Sequence, residues 1–354
     1  MNSLEQIPLA PLDRISPSKY TSLKACAYRV ILENTYGNPL LPYAPHGHFG
    51  TVVHEAIRAV LKGSVKTTEE FNQKWQDLIV VEENKLVERG FDFMVPLKKS
   101  MKKGYSLKKM QVRSLLNRPE STTTDARSSV SFKHEPEVLL ESQDGLIAGR
   151  ADLISTVDSF VRITDFKSGK ILADEGDVKQ DYEDQLKLYA YLYYSMYDRF
   201  PNELVLVDLE RNVYQIEFTE SDILEAGEEA KRMLSATNSL VSLGNKQELA
   251  EPSHDNCSFC LYRPACEYHW ELPNTEDNFY ANIMGTLEEV KIFRNGNVNA
   301  TIITNENRVV VSNIPTAEVE HLRNKLNSQI AIYNVFPSEN KGWYKAGRTT
   351  MIYE

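Results

Sequence analysis

No stretch of this 354-residue chain approaches the roughly 20 consecutive apolar residues that a membrane-spanning helix requires. The opening segment MNSLEQIPLAPLDRISPSKY has no charged stretch followed by an apolar one, so no secretory signal is read there, and the expected location is cytoplasmic, with no membrane contact. Cysteine is scarce: four residues do not make a dense disulfide framework. No G-x-x-x-x-G-K-[ST] segment occurs, which excludes a P-loop motor within the chain and leaves any motor activity to a partner. General positive charge is missing as well, the formal net charge being −10. A polyanion would therefore have to be met by a local basic surface.

One such surface is present. From Lys98 to Arg118 there is no acidic residue, and the interval holds Lys98, Lys99, Lys102, Lys103, Lys108, Lys109, Arg113 and Arg118 around Tyr105. These cations could grip phosphates while the tyrosine stacks on a base; a solvated insertion is an equal reading. The neighbouring NRPESTTTDARSS (117–129) reads as a linker.

The chemistry-bearing pattern lies just beyond. GLIAGRADLIST (145–156) and SFVRITDFKSG (159–169) read as two strands joined by a two-residue hairpin loop, Asp158-Ser159. If Val157 pairs with Phe160, Asp152 lies opposite Asp165, with Cβ atoms about 5 Å apart. The period of two puts Lys167 on the face of Asp165. Two carboxylates that close raise each other's pKa unless a cation sits between them. A divalent ion such as Mg²⁺ or Mn²⁺ meets that need and can activate water at a phosphodiester. Taken singly, each of these residues would read as a strand-end or solvated charge, but Asp165 interrupts a β-rich run where Asp is disfavoured.

Two helical segments frame the pair. His54 lies in TVVHEAIRAVLKG, whose apolar residues recur at helical spacing, so on its own it reads as a packed histidine. Gln185 and Tyr189 share a helix face in a segment rich enough in aromatic residues that core packing explains Tyr189 nearly as well. Of the cysteines, three form Cys257-x-x-Cys260 followed by Cys266, and Cys26 stands alone. A close trio in a reduced chain points to metal or cluster ligation, with zinc and iron–sulfur both open. Cys26 alone would read as a buried thiol.

The order His54, Asp152, Asp165-x-Lys167, Gln185-x-x-x-Tyr189 resembles the PD-(D/E)XK nuclease motif in its RecB-like form. In that resemblance Gly50-Thr51-Val52-Val53-His54-Glu55 matches a helical G-x-x-x-H-E motif whose histidine is a metal ligand. Asp152, Asp165 and the backbone carbonyl of Phe166 would complete the metal set. Gln185 and Tyr189 would hold the catalytic end and the DNA. The family's glutamate ahead of the first aspartate is best matched by Glu137, with Glu135 and Glu141 as competitors. A lone cysteine before the core and a C-x-x-C-x(5)-C trio after it resembles the iron–sulfur nucleases of this type, among them CRISPR-associated exonucleases and the AddB subunit. The resemblance thus implies a 4Fe-4S cluster on Cys26, Cys257, Cys260 and Cys266.

The expected fold class is α/β: a PD-(D/E)XK restriction-endonuclease-like core, a mixed sheet flanked by helices, followed by a small OB-like β-barrel. The expected domains are residues 1–272, with a helical insertion at about 65–128, and 277–354. Helices are read over 181–199 and 219–243, and a β-β-β-α-β-β order after Cys266, with Phe293, Trp343 and Tyr344 available to a single strand or filling the barrel. Two functions are carried forward: a Mg²⁺- or Mn²⁺-dependent deoxyribonuclease, an exonuclease of DNA repair or anti-phage defence, acting on single strands or duplex ends; and a DNA-binding or scaffold subunit of a complex with a helicase or another defence or repair partner.

Overall fold

The computed structural model describes residues 3–5, 7–101, 104–117, 133–272, 281–305 and 307–354. Lys102, Lys103, Arg118 and most of the expected linker lie outside the described residues.

Helices come first: α1 (Pro17–Ala25), α2 (Ala27–Tyr36), α3 (Pro45–Leu61), α4 (Thr68–Glu88), α5 (Leu97–Ser100) and α6 (Gly104–Ser114). The catalytic region follows as β1 (Lys133–Glu141), β2 (Ala148–Val157), β3 (Phe160–Lys167), α7 (Gln180–Tyr197), β4 (Glu203–Asp208), β5 (Val213–Ile216) and α8 (Glu220–Ser242). Then come α9 (Lys246–Leu249), α10 (His254–Ser258), β6 (Ala281–Ile292), β7 (Val298–Ile303), β8 (Arg308–Ser312), α11 (Val319–Arg323), β9 (Gln329–Pro337) and β10 (Trp343–Tyr353). The chain divides into two compact units, and neither is one continuous stretch: residues 11–27 with 45–245, and residues 1–10, 28–44 and 246–354.

The first unit is built on a five-stranded sheet in the order β1-β2-β3-β4-β5. β3 and β4 pair parallel and the other neighbours antiparallel, so the sheet is mixed. A parallel pair needs a long crossover, and α7 supplies it. Central β3 is buried from Ile163 through Phe166, as expected of a strand covered on both faces. Local signals fix the helix starts: Thr67 with Glu70 and Thr219 with Asp222 form reciprocal capping boxes at α4 and α8. α8 passes α7 at Gly227, where a Cβ would run into the ring of Tyr191.

The second unit holds a closed barrel in the order β10-β8-β7-β6-β9, shut by parallel pairing of β10 with β8. Its interior is apolar, with Leu287, Val298, Ile302, Val311 and Ile332 among the buried residues. Leu41 belongs to the same unit: its N–H donates to the Leu261 carbonyl at 2.9 Å, and its side chain packs with Tyr333 and Tyr353.

Candidate active site

The β2–β3 hairpin sets the geometry. Val157 pairs with Phe160 around Asp158 and Ser159, the register read from the sequence, and the ladder runs back to Leu153 opposite Thr164. Asp158 takes φ of 48°, a left-handed conformation that Asp tolerates. One step beyond the last backbone pair, Asp152 and Asp165 face each other by count. There a side chain replaces the ladder: the Phe166 N–H donates to Asp152 Oδ2 at 2.8 Å. Asp165 is only 5% exposed, and its Oδ2 lies 2.8 Å from Lys167 Nζ.

Helix α7 closes over this corner. Lys167 Nζ donates to Gln185 Oε1 at 2.6 Å, Gln185 Nε2 reaches Asp165 Oδ1 at 3.5 Å, and the ammonium sits 4.3 Å from the ring centroid of Tyr182. Lys167 is thus oriented by a carboxylate, an amide and a π-face. One turn on, the buried Tyr189 donates its hydroxyl to the Arg150 carbonyl at 2.9 Å, and burial with the nearby Asp165 and Asp152 charges holds that hydroxyl protonated. Its ring packs where a Cβ at Gly149 would fall 3.0 Å from it and 2.5 Å from Pro17 Cδ. The structure places Tyr189 as a brace on β2.

Glu137 stands out among the three glutamates of β1. Pro136 pairs with Leu153 and Val138 with Ala151, so Glu137 falls opposite Asp152, and it does so with φ of 58° inside the strand. A non-glycine residue held there is strained, a condition that persists where the surroundings over-determine it. It is 8% exposed, with Arg58 Nε 2.8 Å from Oε1 and Arg150 Nε 3.8 Å from Oε2. Glu135 and Glu141 instead pair outward with Lys133 and Arg14.

Burial pushes the Asp152 carboxyl up to about 7, helped by the Asp165 and Glu137 charges and opposed by the Phe166 N–H and Lys167. His54, on α3, brings Nε2 to 3.0 Å from Ser168 Oγ. Burial lowers its pKa, as do Lys167, Arg58 and Lys108, against the pull of Asp165. The imidazole is therefore neutral at neutral pH, the form that ligates metal.

Among the described residues, no three His, Cys, Asp or Glu side chains close around a common point. Asp152 is held by Phe166, Asp165 by Lys167 and His54 by Ser168. The donor chemistry nonetheless fits a divalent cation: Asp152, raised first by burial and further by the Asp165 and Glu137 charges, is a carboxyl that a bound ion would hold in its ionised form. Phe166 itself contributes its N–H to Asp152, while its carbonyl, the expected ligand, follows Asp165 along β3.

Sequence reasoning missed Arg58, Ser168 and Tyr182. Arg58 lies four residues after His54 on one helix face and Tyr182 three before Gln185, spacings that could have found them. In the basic segment Lys98 and Lys99 are exposed, Lys109 is half-buried, and Lys108 Nζ donates to the Ser168 carbonyl at 2.9 Å. Tyr105 is a correction. It is not a stacking platform for a base, because its ring stacks on Phe49 at 5.2 Å and its hydroxyl accepts from Trp75 Nε1 at 2.9 Å in the core.

Cys26 follows α1 in the unit that carries the mixed sheet, and the trio belongs to the other unit. The Cys260 N–H donates to the Cys257 carbonyl at 3.1 Å, and buried Arg263 donates to the carbonyls of Cys257 and Ser258 and to Asn334 of β9. The Cys266 thiol is pushed up to about 12, first by burial and also by the Cys260 and Cys257 charges, against backbone hydrogen bonds from His269 and Tyr268. A bound cation would invert that balance, since a coordinating thiol is deprotonated outright.

The family described as the PD-(D/E)XK nuclease superfamily matches residues 14–267. The chain belongs to this superfamily. Among solved structures it is similar to a Eubacterium rectale protein designated an exonuclease, at 13% identity over 75% of this chain and 90% of that one, with a TM-score of 0.41. It is also similar to a murine DNA-binding protein bound to double-stranded DNA, at 12% identity over 64% of this chain and 97% of that one, with a TM-score of 0.18. No curated protein matches the chain.

Proposed function

We propose that the chain is a Mg²⁺- or Mn²⁺-dependent deoxyribonuclease that acts as an exonuclease on single strands or duplex ends in DNA repair or anti-phage defence. The observation that carries this reading is the corner where Asp152 and Asp165 face each other across one hairpin while Gln185 and Asp165 together hold Lys167. Asp152, Asp165, His54 and the Phe166 carbonyl would hold the ion. When bound it supplies an activated water and positive charge for the phosphodiester.

The remaining steps belong to the chain. Lys167 presents its ammonium to the attacking water or the scissile phosphate, and Gln185 and Tyr182 keep it in place. Glu137, gripped by Arg58 and Arg150, keeps a buried negative charge beside Asp152. Lys98, Lys99 and Lys109 hold the strand by its phosphates. A binding or scaffold subunit would need none of this catalytic set, so the enzyme reading is preferred.

The C-terminal barrel is read as OB-like. Its strand order and its parallel closing pair support that, and Phe293 and Trp343, 39% and 41% exposed, are open to a single strand or to a helicase-type partner protein. Tyr344 packs against the barrel core. The four cysteines are read as ligands of one 4Fe-4S cluster with a structural role.

Labelled single- and double-stranded DNA, incubated with Mg²⁺ or Mn²⁺ and with EDTA controls, tests the main reading. Metal-dependent shortening from an end is expected. Cleavage that survives Asp165→Asn or Lys167→Met would overturn the assignment.

A further inference from the structure

We propose that Lys108 is a phosphate-contacting residue of the catalytic centre, delivered by the basic segment to the turn where β3 ends. The inference rests on the nuclease reading above and deepens it by setting Lys108 apart from the other basic residues. Lys98 and Lys99 are exposed, as strand-gripping lysines should be, whereas Lys108 is half-buried and its Nζ donates to the Ser168 carbonyl at 2.9 Å. Ser168 directly follows Lys167, and its hydroxyl lies 3.0 Å from His54 Nε2. Lys167, His54 and Lys108 therefore meet at one turn, although they come from β3, α3 and α6.

Two further observations say what Lys108 awaits. Among the described residues no carboxylate lies within ion-pair distance of it, and burial alone lowers its pKa. A cation drawn partly out of water without a counter-charge is unfavourable unless an anion arrives. An ammonium has three protons, of which Ser168 takes one. The remaining two are available to oxygen acceptors, and the acceptor a nuclease brings to this turn is a phosphodiester. The placement is firm, because Tyr105, three residues earlier on α6, is locked between Phe49 of α3 and Trp75 of α4. Helix α6 is thus fixed to the helix that carries His54.

A contact that strengthens as charge grows on the phosphate acts on rate more than on affinity. The test compares wild type, Asp165→Asn, Lys108→Met and Lys108→Arg in single-turnover cleavage at saturating DNA with Mg²⁺. DNA affinity in EDTA and the melting temperature are measured alongside. Lys108→Met is expected to lower the saturated rate by about 10²-fold. Its affinity should change far less, its melting temperature should hold, and Lys108→Arg should recover part of the rate. An unchanged rate in Lys108→Met, or a loss matched by a fall in melting temperature that Lys108→Arg shares, would overturn the inference and leave the lysine a brace for Ser168. A wild type that does not cleave overturns the nuclease reading and this inference together; one that cleaves with Lys108→Met unaffected overturns this inference alone.

Discussion

At the scale of single residues, the site is a problem of charge. Asp152, Asp165 and Glu137 are gathered in little water, and the cost falls on Asp152, whose carboxyl keeps its proton up to about pH 7. The unfolded chain releases that proton near the ordinary carboxylate value of about 4. Between those values the folded state binds more protons than the unfolded one, so metal-free stability is full below about pH 4 and is lost as pH rises toward 7. Thermal denaturation in EDTA across pH should show this decline, and Asp152→Asn should flatten it. Mg²⁺ or Mn²⁺ should reverse the trend, because ligation needs the ionised form and releases the proton. A melting temperature in EDTA equally high at pH 5 and pH 8 would show that Asp152 ionises normally. A second expectation concerns the chemistry: on the proposed reading, Asp165→Asn and Lys167→Met should each lower the saturated cleavage rate by at least about 10²-fold, since each removes a charge from the proposed catalytic set.

Secondary-structure elements show which parts were legible in the sequence and which were not. The β2–β3 register, α7, α8 and β9 follow from alternation, caps and turn residues that agree with the final packing. β1 was not legible as a strand. Its first half, Lys133 to Glu137, is charged and contains Pro136, a composition that reads as loop, and it survives as a strand only because β1 is the edge of the sheet. Glu137 breaks the alternation there with its left-handed φ, so its inward turn depends on tertiary contacts with Arg58 and Arg150 that no local pattern reports. Tyr105 misled for the opposite reason: an aromatic among lysines resembles a binding surface, but α6 is amphipathic and Tyr105 is on its buried side. Two predictions belong at this scale. Gly227→Ala drives a methyl into Tyr191 at the α7–α8 crossing and should destabilise the protein by about 1–3 kcal/mol in urea denaturation. Neutralising Lys98, Lys99 and Lys109 together should flatten the salt dependence of duplex binding, by a slope of about 0.9 for each phosphate that is no longer neutralised. An unchanged slope would make these residues bystanders.

On the scale of the whole molecule, the proposed cluster takes its four ligands from distant parts of the sequence, Cys26 near one end and Cys257, Cys260 and Cys266 far along the chain. Joining Cys26 to Cys257 would close a loop of about 230 residues. By the relation used for disulfides, such a closure removes about 5 kcal/mol of unfolded-state entropy. That is comparable to the whole stability of a typical domain. The trio alone closes only a local turn that Arg263 already holds to β9, so Cys26 carries most of the expected gain. Protein purified without oxygen should be brown and contain about four iron and four sulfide per chain. Zinc is the rival ion, and about one zinc with no iron would reject the cluster while keeping a four-cysteine clip. Cys26→Ser should lose the iron and melt at a lower temperature than wild type. In Mg²⁺ at a temperature where the variant is still folded, its cleavage rate should stay close to normal, because among the described residues no hydrogen bond or ion pair joins Cys26 to those that hold Lys167 or Asp165. If Cys26→Ser instead retained both its iron and its melting temperature, the trio would be ligating without it, and Cys26 would be a half-buried thiol at the end of α1.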